Sequence, residues 1–219
     1  MIKKYSSGSK RLDDFIGGGF EVGSLTQIYG AGGSGKTNIC LLIAINTVRR
    51  GEKVVFIDTE GLSADRFRQM AREDAEDIAK KIIVYEPTTF KEQHSAIKDL
   101  KKVVKGVGVI IVDSATALYR ISLKDDKLMP IRSLGDQMTF LLGLARKNEM
   151  SVVITNQVYL DIESGEDKPI GGNILNHLSK TIIKLEKLDG GIRSATLKKH
   201  RSLPEGRSIK FKITEEGIE

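Results

Sequence analysis

Residues 30–37 constrain the fold of this chain more strongly than any other segment. They fit the P-loop pattern G-x-x-x-x-G-K-[ST], in which glycines let the backbone curl so that its N–H groups point at the phosphates of a nucleotide. The lysine adds a positive charge, and the Thr37 hydroxyl is suited to bind Mg²⁺. The predicted nucleotide-binding residues are Gly30, Ala31, Gly32, Gly33, Ser34, Gly35, Lys36 and Thr37.

The segments on either side of the motif have the order that a P-loop requires. Residues 24–29 are predicted to form a buried strand, and residues 37–50 a helix with one apolar side that Gly51 ends. The N-terminal end of such a helix attracts anions through its dipole. A glycine-rich turn that contained Gly-Lys-Thr by chance would lack this order, so the sequence favours a nucleoside triphosphate site.

Composition is typical of a globular protein. The 219 residues suffice for one substantial core, and no apolar segment is long enough to span a bilayer or to act as a signal peptide. The single cysteine, Cys40, lies among apolar residues and cannot form an intrachain disulfide, so we expect a cytoplasmic protein. The net charge of +6 is compatible with a nucleic acid partner, although a phosphate ligand would favour it too.

Strands and helices alternate along most of the chain. This alternation predicts an α/β fold with a doubly wound, mainly parallel sheet. A turn signal at residues 189–191 then predicts that antiparallel strands extend this sheet at its C-terminal end. The predicted strands after the P-loop unit are 53–58, 81–85, 107–112, 151–157, 181–188, 191–200 and 208–213, and the main predicted helices are 90–105 and 130–148.

Polar residues follow several of the predicted strands, at the edge where ligands of open α/β sheets bind. Asp113 has the position of a Walker B carboxylate, which would hold the Mg²⁺ shell. Glu60 is a candidate general base that could orient and polarise an attacking water. Either Gln157 or Asn156 could sense the γ-phosphate through an amide hydrogen bond.

These segments resemble the RecA-type recombinases, especially the ATPase core of their archaeal RadA and RadB branch. The matching segments lie in family order and cover nearly the whole chain; they are residues 7–13, 17–19, 30–37, 57–61, 111–114 and 154–158. The resemblance implies ATP and Mg²⁺ as ligands, Glu60 as catalytic glutamate, Asp113 as Walker B acid and Gln157 as γ-phosphate sensor. It also implies one RecA-like ATPase core domain over residues 1–219, without the N-terminal DNA-binding domain and polymerisation motif of full recombinases.

Two basic residues near the C-terminus gain a role only through this resemblance. Lys199 and Arg201 correspond to the Lys-x-Arg or Lys-x-Lys pair that reaches the γ-phosphate of a neighbouring subunit in RecA-like and KaiC-like assemblies. Such a cation supplied in trans can accelerate phosphoryl transfer by orders of magnitude. A homo-oligomer is therefore expected. The alternative is a pair of basic residues on a solvated strand end.

The resemblance also directs attention to DNA, because two loops line the DNA axis in this family. Here the first loop, residues 119–127, has mixed charge, and the second, residues 161–168, is short and net acidic. Acidic groups oppose the electrostatic attraction of phosphates, and Tyr159 alone could stack on a base there. Strand exchange is therefore not expected. Salt-sensitive DNA binding would instead use basic residues such as Arg120, Lys124, Arg132, Lys199, Arg201 and Arg207.

The resemblance thus implies a weak, Mg²⁺-dependent ATPase that binds DNA and assists a RadA-type recombinase in DNA repair and homologous recombination. Two alternatives remain open at this stage. One is a KaiC-like regulatory ATPase or autokinase, and the other is a binding scaffold in which ATP only sets the conformation.

Overall fold

The computed structural model describes residues 3–123, 128–163 and 165–219. The predicted DNA contact Lys124 lies outside the described residues. The helices are α1 (Lys10–Phe15), α2 (Lys36–Arg49), α3 (Ala64–Ala71), α4 (Ala75–Ala79), α5 (Phe90–Asp99), α6 (Ala117–Ser122), α7 (Leu128–Lys147) and α8 (Gly172–Leu178). The strands are β1 (Lys4–Tyr5), β2 (Phe20–Glu21), β3 (Leu25–Gly30), β4 (Lys53–Asp58), β5 (Ile82–Tyr85), β6 (Val107–Asp113), β7 (Ser151–Asn156), β8 (Val158–Asp161), β9 (Glu166–Pro169), β10 (Thr181–Lys187), β11 (Ile192–Lys199), β12 (Ser208–Thr214) and β13 (Gly217–Ile218).

A nine-stranded sheet organises the described part of the chain, in the order β13-β12-β11-β10-β3-β7-β6-β4-β5. The strands from β10 to β5 are parallel to one another. From β10 to β13 the pairing is antiparallel. The predicted doubly wound, mainly parallel sheet with antiparallel strands at its C-terminal end is therefore confirmed.

Both faces of this sheet are covered by helices, which explains the uninterrupted apolar sequence of its central strands. Every residue of β6 is buried. Val109 and Ile111 belong to the apolar cluster that contains the inner side of α2, whereas Ile110 and Val112 belong to the cluster under α5 and α7. Successive residues of β6 thus contribute to opposite apolar clusters, and a polar side chain on either face of the strand would be buried in one of them.

Several local features differ from the sequence-based expectation. The second predicted DNA loop, residues 161–168, overlaps an antiparallel hairpin of β8 and β9, and Ser164 lies outside the described residues. The helix predicted for residues 90–105 ends as α5 at Asp99 and continues as a short 3₁₀ turn, Leu100–Lys102. β10, which the sequence placed only in a hairpin, also pairs in parallel with β3. Within the described ranges, no helix is both long and apolar enough to cross a membrane.

Candidate nucleotide-binding site

The P-loop connects β3 to α2, as its sequence predicts. Glycine is required at Gly30, because a Cβ atom there would lie 2.3 Å from the carbonyl oxygen of Leu185 on β10. Gly35 precedes α2 with a left-handed backbone (φ 107°), which glycine adopts at low cost. The loop therefore lies tightly between the strand and the helix, with its tip exposed at Ala31, Gly32 and Gly33.

The Lys36 ammonium is folded back onto the loop. Its Nζ donates to the carbonyl oxygens of Gly30 at 2.8 Å and Ala31 at 3.1 Å, and the residue is only 7% exposed. Burial lowers the pKa of Lys36, while the negative charges of Glu60 and Asp113 oppose this effect. A bound triphosphate would supply the anion that this buried cation lacks.

Asp113 lies at the end of β6, and its carboxylate accepts hydrogen bonds from the hydroxyls of Thr155 and Thr37. Burial raises the pKa of Asp113, and these two hydrogen bonds partly offset the shift. The contact between Thr37 and Asp113 matches a Mg²⁺ site, since this ion uses one or two protein groups and completes its shell with waters and phosphate oxygens. A dedicated protein cage is not needed, and the described residues contain no group of three or more potential metal ligands of the His, Cys, Asp or Glu type.

Glu60 and Gln157 meet above this edge of the sheet. The Gln157 amide donates from Nε2 to Oε1 of Glu60 at 2.9 Å, and Glu60 is exposed. The neighbouring amide of Asn156 is instead buried between the Thr116 hydroxyl and the Ile170 carbonyl oxygen. Of the two amides that the sequence left open, the structure places Gln157 beside Glu60.

Asp58 holds the turn that carries Glu60, a role that sequence reasoning missed. Its carboxylate accepts from the backbone N–H groups of Glu60 at 3.1 Å, Gly61 at 2.9 Å and Leu62 at 2.5 Å. The adjacent Thr59 hydroxyl accepts from the Ser114 N–H at 2.8 Å, which links this turn to the end of β6. An Asp at the end of a buried strand, just before a turn that contains Gly, is a known signal for such a side-chain-capped turn.

Lys199 and Arg201 do not reach the P-loop of their own chain. Lys199 pairs with Ile182 near the amino end of β10, whereas the P-loop follows the carboxyl end of β3. The Lys199 ammonium donates to the Asn176 carbonyl oxygen at 2.7 Å, and the Arg201 guanidinium lies 3.7 Å from the Glu21 carboxylate. Within one chain, both cations therefore lie away from the predicted phosphate site.

A groove of about 530 Å³ lies next to the two predicted DNA loops. Tyr119, Arg120 and Leu123 line it from the α6 side, and Tyr159 lines it from β8. Tyr159 is 51% exposed and so could stack on a base. Of the predicted basic contacts in the described ranges, Arg120 alone lines this groove.

The whole length of the chain is similar to proteins of one family. The Rad51 family model matches residues 1–219. The DNA repair and recombination protein RadB of Methanococcoides burtonii is 56% identical over 215 residues, which is 97% of this chain and 96% of the relative. The protein of the same name from Archaeoglobus fulgidus is 48% identical over 217 residues, again 97% of this chain and 96% of the relative.

A solved structure agrees with the fold as well. The crystal structure of the RadB recombinase superposes with a TM-score of 0.85 at 39% identity and covers 98% of both chains. The resemblance to RecA-type recombinases is therefore confirmed: the chain belongs to the Rad51 family and, within it, to the archaeal RadB proteins.

Proposed function

We propose that this protein binds and slowly hydrolyses ATP, binds DNA, and assists a RadA-type recombinase in DNA repair and homologous recombination without itself exchanging strands. One observation carries the enzymatic part of this proposal. The Lys36 ammonium, the Asp113 carboxylate and the Glu60–Gln157 pair converge on the carboxyl edge of one sheet, beside a P-loop. The names of the relatives support the role in repair and recombination.

Each residue of the site has a chemical role in hydrolysis. The Lys36 ammonium and the P-loop N–H groups hold the phosphates, and Thr37 and Asp113 would hold Mg²⁺. The ion, when bound, neutralises charge on the phosphate oxygens. Glu60 orients the attacking water and accepts its proton, while the Gln157 hydrogen bond holds one oxygen of this carboxylate and leaves the other available for the water.

Slow turnover is expected because of where Lys199 and Arg201 lie. Lys199 and Arg201 lie away from the P-loop of their own chain, so an isolated copy lacks their positive charge during phosphoryl transfer. In enzymes that transfer phosphoryl groups, a cation supplied in trans by a neighbouring molecule can accelerate the reaction by orders of magnitude. The proposed homo-oligomer would bring Lys199 and Arg201 of one copy to the P-loop of the next.

For DNA, the groove beside α6 and β8 is the best-supported contact surface. It combines an exposed aromatic ring, Tyr159, with one basic side chain, Arg120. The β8–β9 hairpin adjoining it carries Asp161, Glu163, Glu166 and Asp167, which oppose tight binding of phosphates. We therefore propose weak, salt-sensitive binding of single-stranded DNA with little sequence preference.

The proposal is tested by measuring ATP hydrolysis with and without single-stranded DNA over a range of protein concentrations. We expect slow turnover, with a specific activity that rises with protein concentration. The variant Glu60→Gln should lose turnover and retain ATP binding, because the amide cannot accept the proton of the water. Strong stimulation by DNA would indicate a strand-exchanging recombinase instead. Unchanged turnover in Glu60→Gln would remove Glu60 from the mechanism.

A further inference from the structure

We propose that Lys187 is an additional phosphate-binding residue, which places a second ammonium of the same chain on the triphosphate at the tip of the P-loop. This inference rests on the proposed ATP binding and deepens it. Neither the P-loop motif nor the resemblance to recombinases pointed to this residue.

The strand register brings Lys187 to the loop. β10 lies beside β3 and runs parallel to it, with Leu185 opposite Gly30. Gly30 opens the P-loop, so the chain beyond Leu185 continues over the same edge of the sheet. Lys187, the last residue of β10, is therefore carried to the P-loop by the core of the sheet, and no mobile loop has to close to bring it there.

The Lys187 side chain lies directly against the loop. A Cβ atom built on Gly33 would be 2.8 Å from Nζ of Lys187 and 3.0 Å from its Cε. Gly33 is exposed at the tip of the loop, and its backbone is left-handed (φ +70°). The absence of a side chain at Gly33 thus creates the space that the ammonium occupies.

Among the described residues, the ammonium of Lys187 has no carboxylate partner within ion-pair distance, whereas Lys184 on the same strand pairs with Glu186 at 2.7 Å. The positive charge of Lys187 adds to the effect of burial in lowering the pKa of Lys36. Two ammonium groups that repel each other at the same loop would both be stabilised by an anion between them.

The position of Lys187 favours the outer phosphates of the ligand. In a P-loop the backbone N–H groups surround the inner phosphates, and the motif lysine reaches the β- and γ-phosphates. A cation at the exposed tip, in addition to Lys36, would contact oxygens of the terminal phosphates and stabilise the charge that develops there during transfer. Lys187 would supply in cis part of the positive charge that Lys199 and Arg201 are proposed to supply in trans. ADP lacks the γ-phosphate and should depend on Lys187 less than ATP does.

Isothermal titration with Mg²⁺–ATP and Mg²⁺–ADP tests this assignment. Lys187→Met keeps the length and loses the charge, and it should weaken ATP binding by roughly tenfold, the loss typical of one charge-assisted hydrogen bond. ADP binding should weaken by much less. Lys187→Arg should restore ATP affinity. Lys210→Met, a matched change at an exposed lysine of β12, should behave as the wild type.

The possible outcomes separate this inference from the proposed function. If the wild type binds ATP and Lys187→Met binds it equally well, the role of Lys187 is rejected and the proposed function stands. Equal losses for ATP and ADP would reject the contact with the terminal phosphates. If the wild type binds no ATP, both proposals fail. Lys187 is exposed, so the substitution leaves the core intact, and circular dichroism of each variant verifies folding.

Discussion

At the scale of single residues, the site contains two buried groups of opposite charge, and neither fully offsets the cost of burying the other's charge. Burial lowers the pKa of Lys36 and raises the pKa of Asp113, and each opposes the shift of the other. Both shifts disfavour the charged form. A Mg²⁺–triphosphate complex supplies an anion for Lys36 and a cation for Asp113, so ligand binding would favour the charged form of both groups.

His200 supports a prediction about how the stability of the fold depends on pH, and this prediction does not involve the nucleotide. Its Nδ1 accepts from the backbone N–H groups of Ser202 at 3.1 Å and Leu203 at 3.2 Å, which requires that Nδ1 carry no proton. Burial lowers the pKa of His200, although Glu21 opposes the shift. The folded state therefore binds a proton less readily than the unfolded state. The stability that depends on neutral His200 is complete above the unfolded pKa of about 6.5 and is lost as the pH falls toward the lower folded value.

Urea unfolding at pH 7.5, 6.5 and 5.5 measures this dependence. We expect the free energy of unfolding of the wild type to fall more steeply toward pH 5.5 than that of His200→Asn. Asparagine keeps an acceptor oxygen in the side chain but does not titrate in this range. Equal slopes for the two proteins would show that His200 contributes nothing to the pH dependence.

Residues within a local motif were predictable from sequence, whereas residues positioned by strand pairing were not. The P-loop residues are contiguous, so their roles follow from spacing alone. Lys187 is far from Gly33 in sequence, and only the register of β10 on β3 brings the two together. The choice between Asn156 and Gln157 likewise depends on Ile170 and Glu60, which belong to other elements.

At the scale of elements, β10 shows why the type of sheet could be predicted from sequence but the order of its strands could not. The Asp-Gly-Gly turn signalled the hairpin of β10 with β11 correctly. No local signal identifies β3 as the other neighbour of β10, because parallel pairing joins strands that are far apart in sequence. The β8–β9 hairpin was missed for a different reason. Each strand has only four residues, and three of the four residues of β9 are charged, so β9 lacks the apolar pattern from which buried strands are recognised.

The turn between β4 and α3 supports a prediction at this scale. Asp58 is 5% exposed and its carboxylate accepts three backbone N–H groups that hold Glu60 in place. Asp58→Asn removes the charge from these bonds and turns one acceptor atom into a donor. The variant should lose about 2 kcal/mol of unfolding free energy, and its ATP turnover should fall while the P-loop stays intact.

Asp65→Asn provides the matched control for Asp58→Asn. Its side chain is 96% exposed and, in the described part of the chain, its one ion pair is with Arg68 on the same helix, so the unfolding free energy should change by less than about 0.5 kcal/mol. Urea denaturation and ATP hydrolysis would be measured on both variants. A loss of stability in Asp58→Asn without a loss of turnover would mean that the turn does not position Glu60.

At the scale of the whole molecule, the two sets of proposed catalytic charges lie toward opposite ends of the parallel strands. The P-loop, Glu60 and Asp113 are at the carboxyl ends of β3, β4 and β6, and Lys199 is beside the amino end of β10. A contact between these two surfaces of adjacent copies is head-to-tail, which generates a ring or an open helical assembly. In such an assembly every internal site would receive Lys199 and Arg201 from a neighbour.

Mixing two inactive variants tests this arrangement. Glu60→Gln removes the base, and the double variant Lys199→Ala, Arg201→Ala removes the cations. If the cations act in trans, an intact Glu60 site of the double variant can receive Lys199 and Arg201 from a Glu60→Gln neighbour. The mixture should therefore hydrolyse ATP faster than either variant alone, and the gain should increase with protein concentration. A mixture that stays at the average of the two variants at every concentration would show that Lys199 and Arg201 do not complete the site of another copy.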